Sequence, residues 1–257
     1  MNGADLPTTF DAADDALRLG LTLQNGISLN KGFVSGESMA TIAPAAATLM
    51  MVTRFPHPGR TKTRLIPTLG AEGAAQLQRC MTELLVKRLQ GICDRAALVL
   101  EVHFADGSLA QMRDWLGNDL TLKPQGEGTL GDRLHWAFQQ GFCERPQPIL
   151  MVGSDCPDLG EMHIAQAVNA LQQHDVVLGP AYDGGYYLIG LRQPQPRLFA
   201  DISWGQSCVL AETMAIATAQ ELSIALLDPL SDIDRPEDLP LWQAYSGDTN
   251  NMPQVRL

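Results

Sequence analysis

From Thr48 onward, short apolar segments of strand length alternate with amphipathic segments of helical length, and no other feature of the chain restricts its fold as much. The run Ile149-Leu150-Met151-Val152 is apolar at every position, as a strand covered on both faces must be. Strands are expected over 48–55, 96–104, 120–124, 149–152, 175–180, 186–191 and 224–227. Helices are expected over 71–92, 108–116, 129–142, 161–173, 206–222 and 236–245. Leu77, Met81, Leu84, Leu85, Leu89 and Ile92 recur at helical spacing, Ser108 is placed to cap, and Pro236 sits where a first helical turn tolerates it. Such alternation implies a three-layer α/β/α sandwich around a mostly parallel sheet. Ligands of such folds bind beyond the carboxyl ends of the strands, so residues at those ends become the functional candidates.

Residues 1–46 do not share the pattern. They are rich in Gly, Ser, Thr, Ala and Asn with weak periodicity, and they read as an N-terminal extension of the disordered class ahead of a catalytic domain over 47–257. Asp5, Asp11, Asp14 and Asp15 occupy the place where a signal peptide would be basic, and the apolar stretch 42–52 is too short to span a bilayer. The five cysteines are odd in number and form no C-x-x-C pair, which argues against a disulfide framework or zinc site and suits a reducing, cytoplasmic setting.

A formal net charge of −11 repels polyanions and excludes a nucleic-acid groove. A local basic cluster is therefore informative. One follows the first expected strand, where Arg54, Arg60, Lys62 and Arg64 surround a loop stiffened by Pro56 and Pro58. Gly59 would let backbone approach a ligand, and the cations suit phosphate. The competing reading is a solvated basic loop. The spacing of a Walker loop or Rossmann fingerprint is absent.

Three further segments carry chemistry. Gly153-Ser154-Asp155-Cys156-Pro157 ends the most apolar strand, and Asp155 is a candidate ligand for a hard cation or a plain turn residue. Asp183-Gly184-Gly185-Tyr186-Tyr187 places a carboxylate and two glycines on a turn before a strand, where Asp183, Gly184, Gly185 and Tyr186 are candidate substrate contacts. Alternation lets at most one of the two tyrosines face a ligand. Asp232-Ile233-Asp234 puts two carboxylates on one side of an extended segment, able to share Mg²⁺ or Mn²⁺ with Asp155. A weaker element runs from Gln125 through Gly131 to Arg133, a glycine-rich loop entering a helix whose N-terminus could hold an anion or ribose edge.

In this order the segments read P-x-P-G-x-x-K-T-R-L, Q-x-x-G-x-L-G-x-R, G-S-D-C-P, L-G-P-A-x-D-G-G-Y-Y-L-I-G and D-I-D-x-P-E-D-L. Together they resemble the nucleotide-diphospho-sugar transferase superfamily, with its glycosyltransferase A-type fold. The bacterial glycosyltransferases associated with arsenosugar biosynthesis are the most similar branch. The resemblance implies a nucleotide pocket at the first loop with Lys62 and Arg64 near phosphates, and Asp155 as the metal-binding aspartate. The A-G-G-x-G-x-R loop usual in the superfamily is absent, and Arg235 and Gly205-Gln206-Ser207 depart from the commonest family residues. The expected activity is metal-dependent glycosyl transfer from a nucleotide-sugar to a small acceptor, with Asp155 and Asp183 as catalytic residues. Nucleotidyl transfer to a phosphorylated acceptor would need the same basic loop and metal. A nucleotide-binding regulator without catalysis is the third reading, and the retained aspartates argue against it.

Overall fold

A computed structural model describes residues 28–29 and 47–247. The sheet has eight strands: β1 (Ser28–Leu29), β2 (Thr48–Arg54), β3 (Val99–Ala105), β4 (Thr121–Pro124), β5 (Ile149–Val152), β6 (Val176–Pro180), β7 (Tyr186–Leu191) and β8 (Ile224–Leu226). Their spatial order is β1-β8-β6-β7-β5-β2-β3-β4. The helices are α1 (Ile66–Ala96), α2 (Leu109–Leu116), α3 (Leu130–Glu144), α4 (Glu161–Ala170), α5 (Val209–Ala219) and α6 (Leu239–Gly247).

All pairings are parallel except those of β7, which runs antiparallel to β5 and β6. Only five residues separate β6 from β7, too few for a crossover back to a parallel start. Strand alternation divides the interior into two layers. Met51, Val102, Leu150 and Val177 pack against Leu85 and Leu89 of α1 and Ile164 and Val168 of α4. Met50, Met151, Leu178 and Ile189 pack against Leu134 and Phe138 of α3 and Leu210 and Met214 of α5. This is the expected three-layer sandwich.

A third cluster positions the site. Leu65, Leu77 and Met81 pack against Ile233, Leu239 and Trp242, so the C-terminal segment is pressed onto the start of α1. The helix expected from residue 71 begins earlier, but Gly70 leaves helical geometry (φ 69, ψ 170) and kinks the chain where the sequence reading began it. The helix expected over 161–173 stops at Ala170, and that over 206–222 is shorter at both ends. The expected Ser108 cap forms as a reciprocal capping box, and Thr129 makes a second one. Ser28–Leu29, inside the stretch read as an extension, add a short parallel pairing to the edge of β8, and the rest of 1–46 lies outside the described residues. Among the described residues no helix is long and apolar enough to cross a membrane.

Candidate functional site

A cleft of about 500 Å³ opens where β2 and β5 end, in the size range of small-molecule sites. Its floor is polar and sealed. The Gln78 side chain, on α1, donates to Thr82 Oγ1 at 3.1 Å and Ser154 Oγ at 3.0 Å, with Thr53 Oγ1 at 3.3 Å. Gln125 donates to the carbonyls of Thr53 and His103, both at 3.0 Å, and ties the ends of β2 and β3 together. A buried amide must find such partners or lose stability, so these contacts fix the floor rigidly.

The walls are cationic. Arg54, Arg60, Lys62, Arg64 and Arg133 all line the cleft, against Asp155 and Asp234. Arg54 lies 3.7 Å from Asp106, and Arg64 pairs with Asp234. Arg60 and Arg133 make no ion pair with a carboxylate among the described residues. The Arg133 guanidinium instead bonds Gln125 Oε1 and the Thr129 carbonyl, each at 3.4 Å.

Lys62 behaves differently from the other cations. Its side chain is only 3% exposed, and its ammonium lies 2.9 Å from Asp155 Oδ1 and 3.9 Å from Asp234 Oδ1. It also donates to the carbonyl of Ile233. The Ile233 amide in turn donates to the Asp155 carbonyl at 2.9 Å, so 232–234 is laid directly along the end of β5. The sequence reading made Asp155, Asp232 and Asp234 ligands of one metal ion; here Asp155 and Asp234 flank the Lys62 ammonium. No group of three His, Cys, Asp or Glu residues among the described residues is arranged to hold an ion. Asp155 and Asp234 are already engaged by Lys62 and Arg64, so the expected Mg²⁺ or Mn²⁺ set of Asp155, Asp232 and Asp234 does not fit this arrangement.

Asp232 lies outside the cleft lining but in the same field. Burial raises its pKa to about 6, with the charges of Asp183 and Asp155 adding to the shift. Cys156, buried beside the same carboxylates, is pushed well above the ordinary thiol range and is held neutral. Asp183 is exposed and its carboxylate accepts from the Gly185 amide at 2.8 Å. Gly184 has φ +91, and a Cβ there would stand 2.1 Å from the Ser207 carbonyl, so only glycine lets this turn pack.

Other expectations divide. Arg54, Lys62, Arg64, Gln125 and Asp155 are brought together in the cleft. Gly59 turns the loop at φ +79 without entering the lining. Gly131 is also outside it, because a Cβ there would meet the Phe199 carbonyl at 2.4 Å and Trp204, and its role is close packing of α3. Tyr186 packs edge-on against Trp204, 6.3 Å between ring centroids, within the α3–α5 layer, and burial raises its pKa. Tyr187 turns into the opposite layer. Gln78 escaped the sequence reading, yet it lies on the stripe Ala74-Gln78-Met81-Leu85, and a polar residue there was the available signal.

A cation-lined cleft thus lies at the carboxyl edge of a mostly parallel sheet, where α/β folds bind their ligands. Residues 88–206 match a family described as an uncharacterized protein conserved in bacteria (DUF2064). A provisionally assigned nucleotide-diphospho-sugar transferase from Desulfovibrio desulfuricans shares 29% identity, covering 79% of this chain and 89% of its own, with a TM-score of 0.71. The 4-diphosphocytidyl-2C-methyl-D-erythritol synthase of Anaerococcus prevotii has a TM-score of 0.52 at 10% identity, covering 80% of this chain and 100% of its own, and it shares the fold alone. A cytidylyltransferase from Leptospira borgpetersenii does so at 0.51 and 11%, covering 80% and 88%. A comparison with curated proteins finds no match. In sequence and fold the chain is similar to the nucleotide-diphospho-sugar transferase superfamily. The arsenosugar-associated branch remains a resemblance in sequence.

Proposed function

We propose that the chain transfers a sugar from a nucleotide-sugar to a small acceptor. The observation that carries this reading is the pair Arg60 and Arg133, which line the cleft of an acidic chain and have no carboxylate partner among the described residues. Guanidinium groups facing a cleft without a carboxylate are matched by phosphate oxygens, to which they bond bidentately. Arg54 and Arg64 extend the same wall, and the rigid floor of Thr53, Gln78, Gln125 and Ser154 offers hydroxyl and amide groups to a ribose or sugar edge. Negative charge developing on the leaving diphosphate would be held by these preset cations. Asp183, exposed on the glycine turn and within electrostatic reach of Arg64, is the candidate to orient the acceptor hydroxyl and accept its proton. Asp155 orients Lys62 beneath the phosphates.

Nucleotidyl transfer is the second reading. A nucleoside triphosphate would meet the same Arg60 and Arg133, with Arg54 and Arg64 along the same wall to face a phosphorylated acceptor. The released product separates the two. Incubation with nucleotide-sugars and sugar acceptors should release nucleoside diphosphate, whereas incubation with nucleoside triphosphates and sugar phosphates should release none of the pyrophosphate that nucleotidyl transfer produces. Pyrophosphate release would replace the first reading by the second. Tight nucleotide binding without either product would leave a regulator.

A further inference from the structure

We propose that Lys62 is the resident cation of this site, its ammonium standing between Asp155 and Asp234 where a divalent ion would otherwise be held by the chain. The inference goes beyond the proposed function and holds for either transfer reaction.

Three observations carry it. The first is the shell around the ammonium. Asp155 Oδ1 at 2.9 Å, Asp234 Oδ1 at 3.9 Å and the Ile233 carbonyl are all oxygens, two of them anionic. An all-oxygen shell of carboxylates and a carbonyl is what a hard cation selects, and an ammonium with three donors can serve three acceptors. The second is burial. A lysine side chain only 3% exposed is tolerated where its charge is fully compensated, and two carboxylates supply that compensation here. The third is the backbone. Lys62 sits in the left-handed region at φ 48 and ψ 46, a conformation that costs a non-glycine residue stability and persists only when its surroundings enforce it. The enforcement is visible: the Thr61 hydroxyl donates to the Phe55 carbonyl at 3.3 Å, and the Leu65 amide donates to the Lys62 carbonyl at 2.9 Å. The turn is built to aim this side chain inward while Arg60, Arg64 and Arg133 face the cleft.

Lys62 thus neutralises the strand-end carboxylates that would otherwise repel phosphate. The test uses the full-length protein and Mn²⁺ alone, without nucleotide, read by calorimetry and by electron paramagnetic resonance of the free ion. Wild type is expected to bind no Mn²⁺ at this site. Lys62→Met, which keeps the bulk and removes the charge, is expected to gain a site at least about tenfold tighter than any in wild type. Adding Asp155→Asn to it should abolish the gain. Lys62→Gln keeps a donor toward Ile233 and guards against loss of the fold, and it should gain the same site more weakly. Equal Mn²⁺ affinity in wild type and both variants would overturn the proposal, because the ion would then not compete with Lys62. Absence of binding in folded variants would overturn it too, because the vacated oxygens would not be a cation site. Neither result depends on which nucleotide the cleft takes.

Discussion

Glu101, in the middle of β3, is a carboxylate surrounded by donors, whereas Lys62, just beyond β2, is an ammonium surrounded by acceptors. Glu101 is fully buried and bonds His103 at 3.0 Å, Lys123 at 3.1 Å and Arg145 at 2.8 Å. Burial alone would raise its pKa, but these partners overcome it and hold the group at about 2. With Glu144, which also bonds Lys123, the cluster counts two carboxylates against two permanent cations. Around Lys62 stand four carboxylates, Asp155, Asp183, Asp232 and Asp234, and Asp232 is pushed the opposite way, to about 6. The first cluster closes on itself within the fold; the second lies at the strand ends beside Arg54, Arg60 and Arg133, where a ligand can reach it.

The largest effect should come from breaking the balanced cluster. Glu101→Ala removes the buried acceptor shared by His103, Lys123 and Arg145 and should cost about 3 kcal/mol in urea denaturation. An unchanged midpoint would show the network to be incidental. The folded pKa lies below the unfolded value of about 4.3, so the stabilisation is present above that pH and fades as pH falls toward 2. The gap between wild type and variant should narrow over that window.

The cleft cations come next. Arg60→Ala and Arg133→Ala should each weaken nucleotide binding about ten- to a hundredfold, from about 1.5–3 kcal/mol per charge-assisted contact, with no change in melting temperature. Calorimetry giving wild-type affinity for both would move the phosphate site elsewhere.

Asp232→Asn sharpens the contrast from the other side. The folded pKa of about 6 exceeds the unfolded value of about 3.9, so the proton-linked stability is full below the latter and lost as pH rises through 6. The amide should therefore stabilise the protein by about 1–2 kcal/mol at pH 8, after discounting for partial exposure, and by almost nothing at pH 4. Melting curves that coincide at both pH values would mean Asp232 feels no excess of negative charge. The smallest effect is expected from deleting residues 1–46, which among the described residues removes the Ser28–Leu29 pairing from the sheet edge and should lower the melting temperature by less than about 5 °C.

Much of this architecture could be read from the sequence, because strand and helix periodicities are local properties. The apolar run 149–152 reads as a central strand and forms one, and the Asp232–Asp234 segment lies along its end. The partner of Lys62 was not legible. Flanked by Arg60 and Arg64, it carries every local sign of a phosphate ligand, and only the third core cluster, which presses Ile233 onto Leu65 and Leu77, brings the competing carboxylates nearer than solvent. Tyr186 and Gly131 failed for a related reason. Side-chain direction depends on which layer covers a strand or helix face, and the sequence does not say that Trp204 and Phe199 will fill the space beside them.

Ile233 gives the molecule a sense of time. Its amide is bound to Asp155 and its carbonyl to Lys62, so one residue closes a loop of 171 positions. At about 5–20 residues per second, a ribosome needs roughly 10–30 s to pass from the basic loop to this residue. Until then the strands can stack and both helical layers can close, but Lys62 lacks its carbonyl acceptor and the second of its carboxylates. Long-range closures of this kind are late and slow. The cleft is completed last, so a chain competent to bind its ligand is one whose C-terminal segment has already docked.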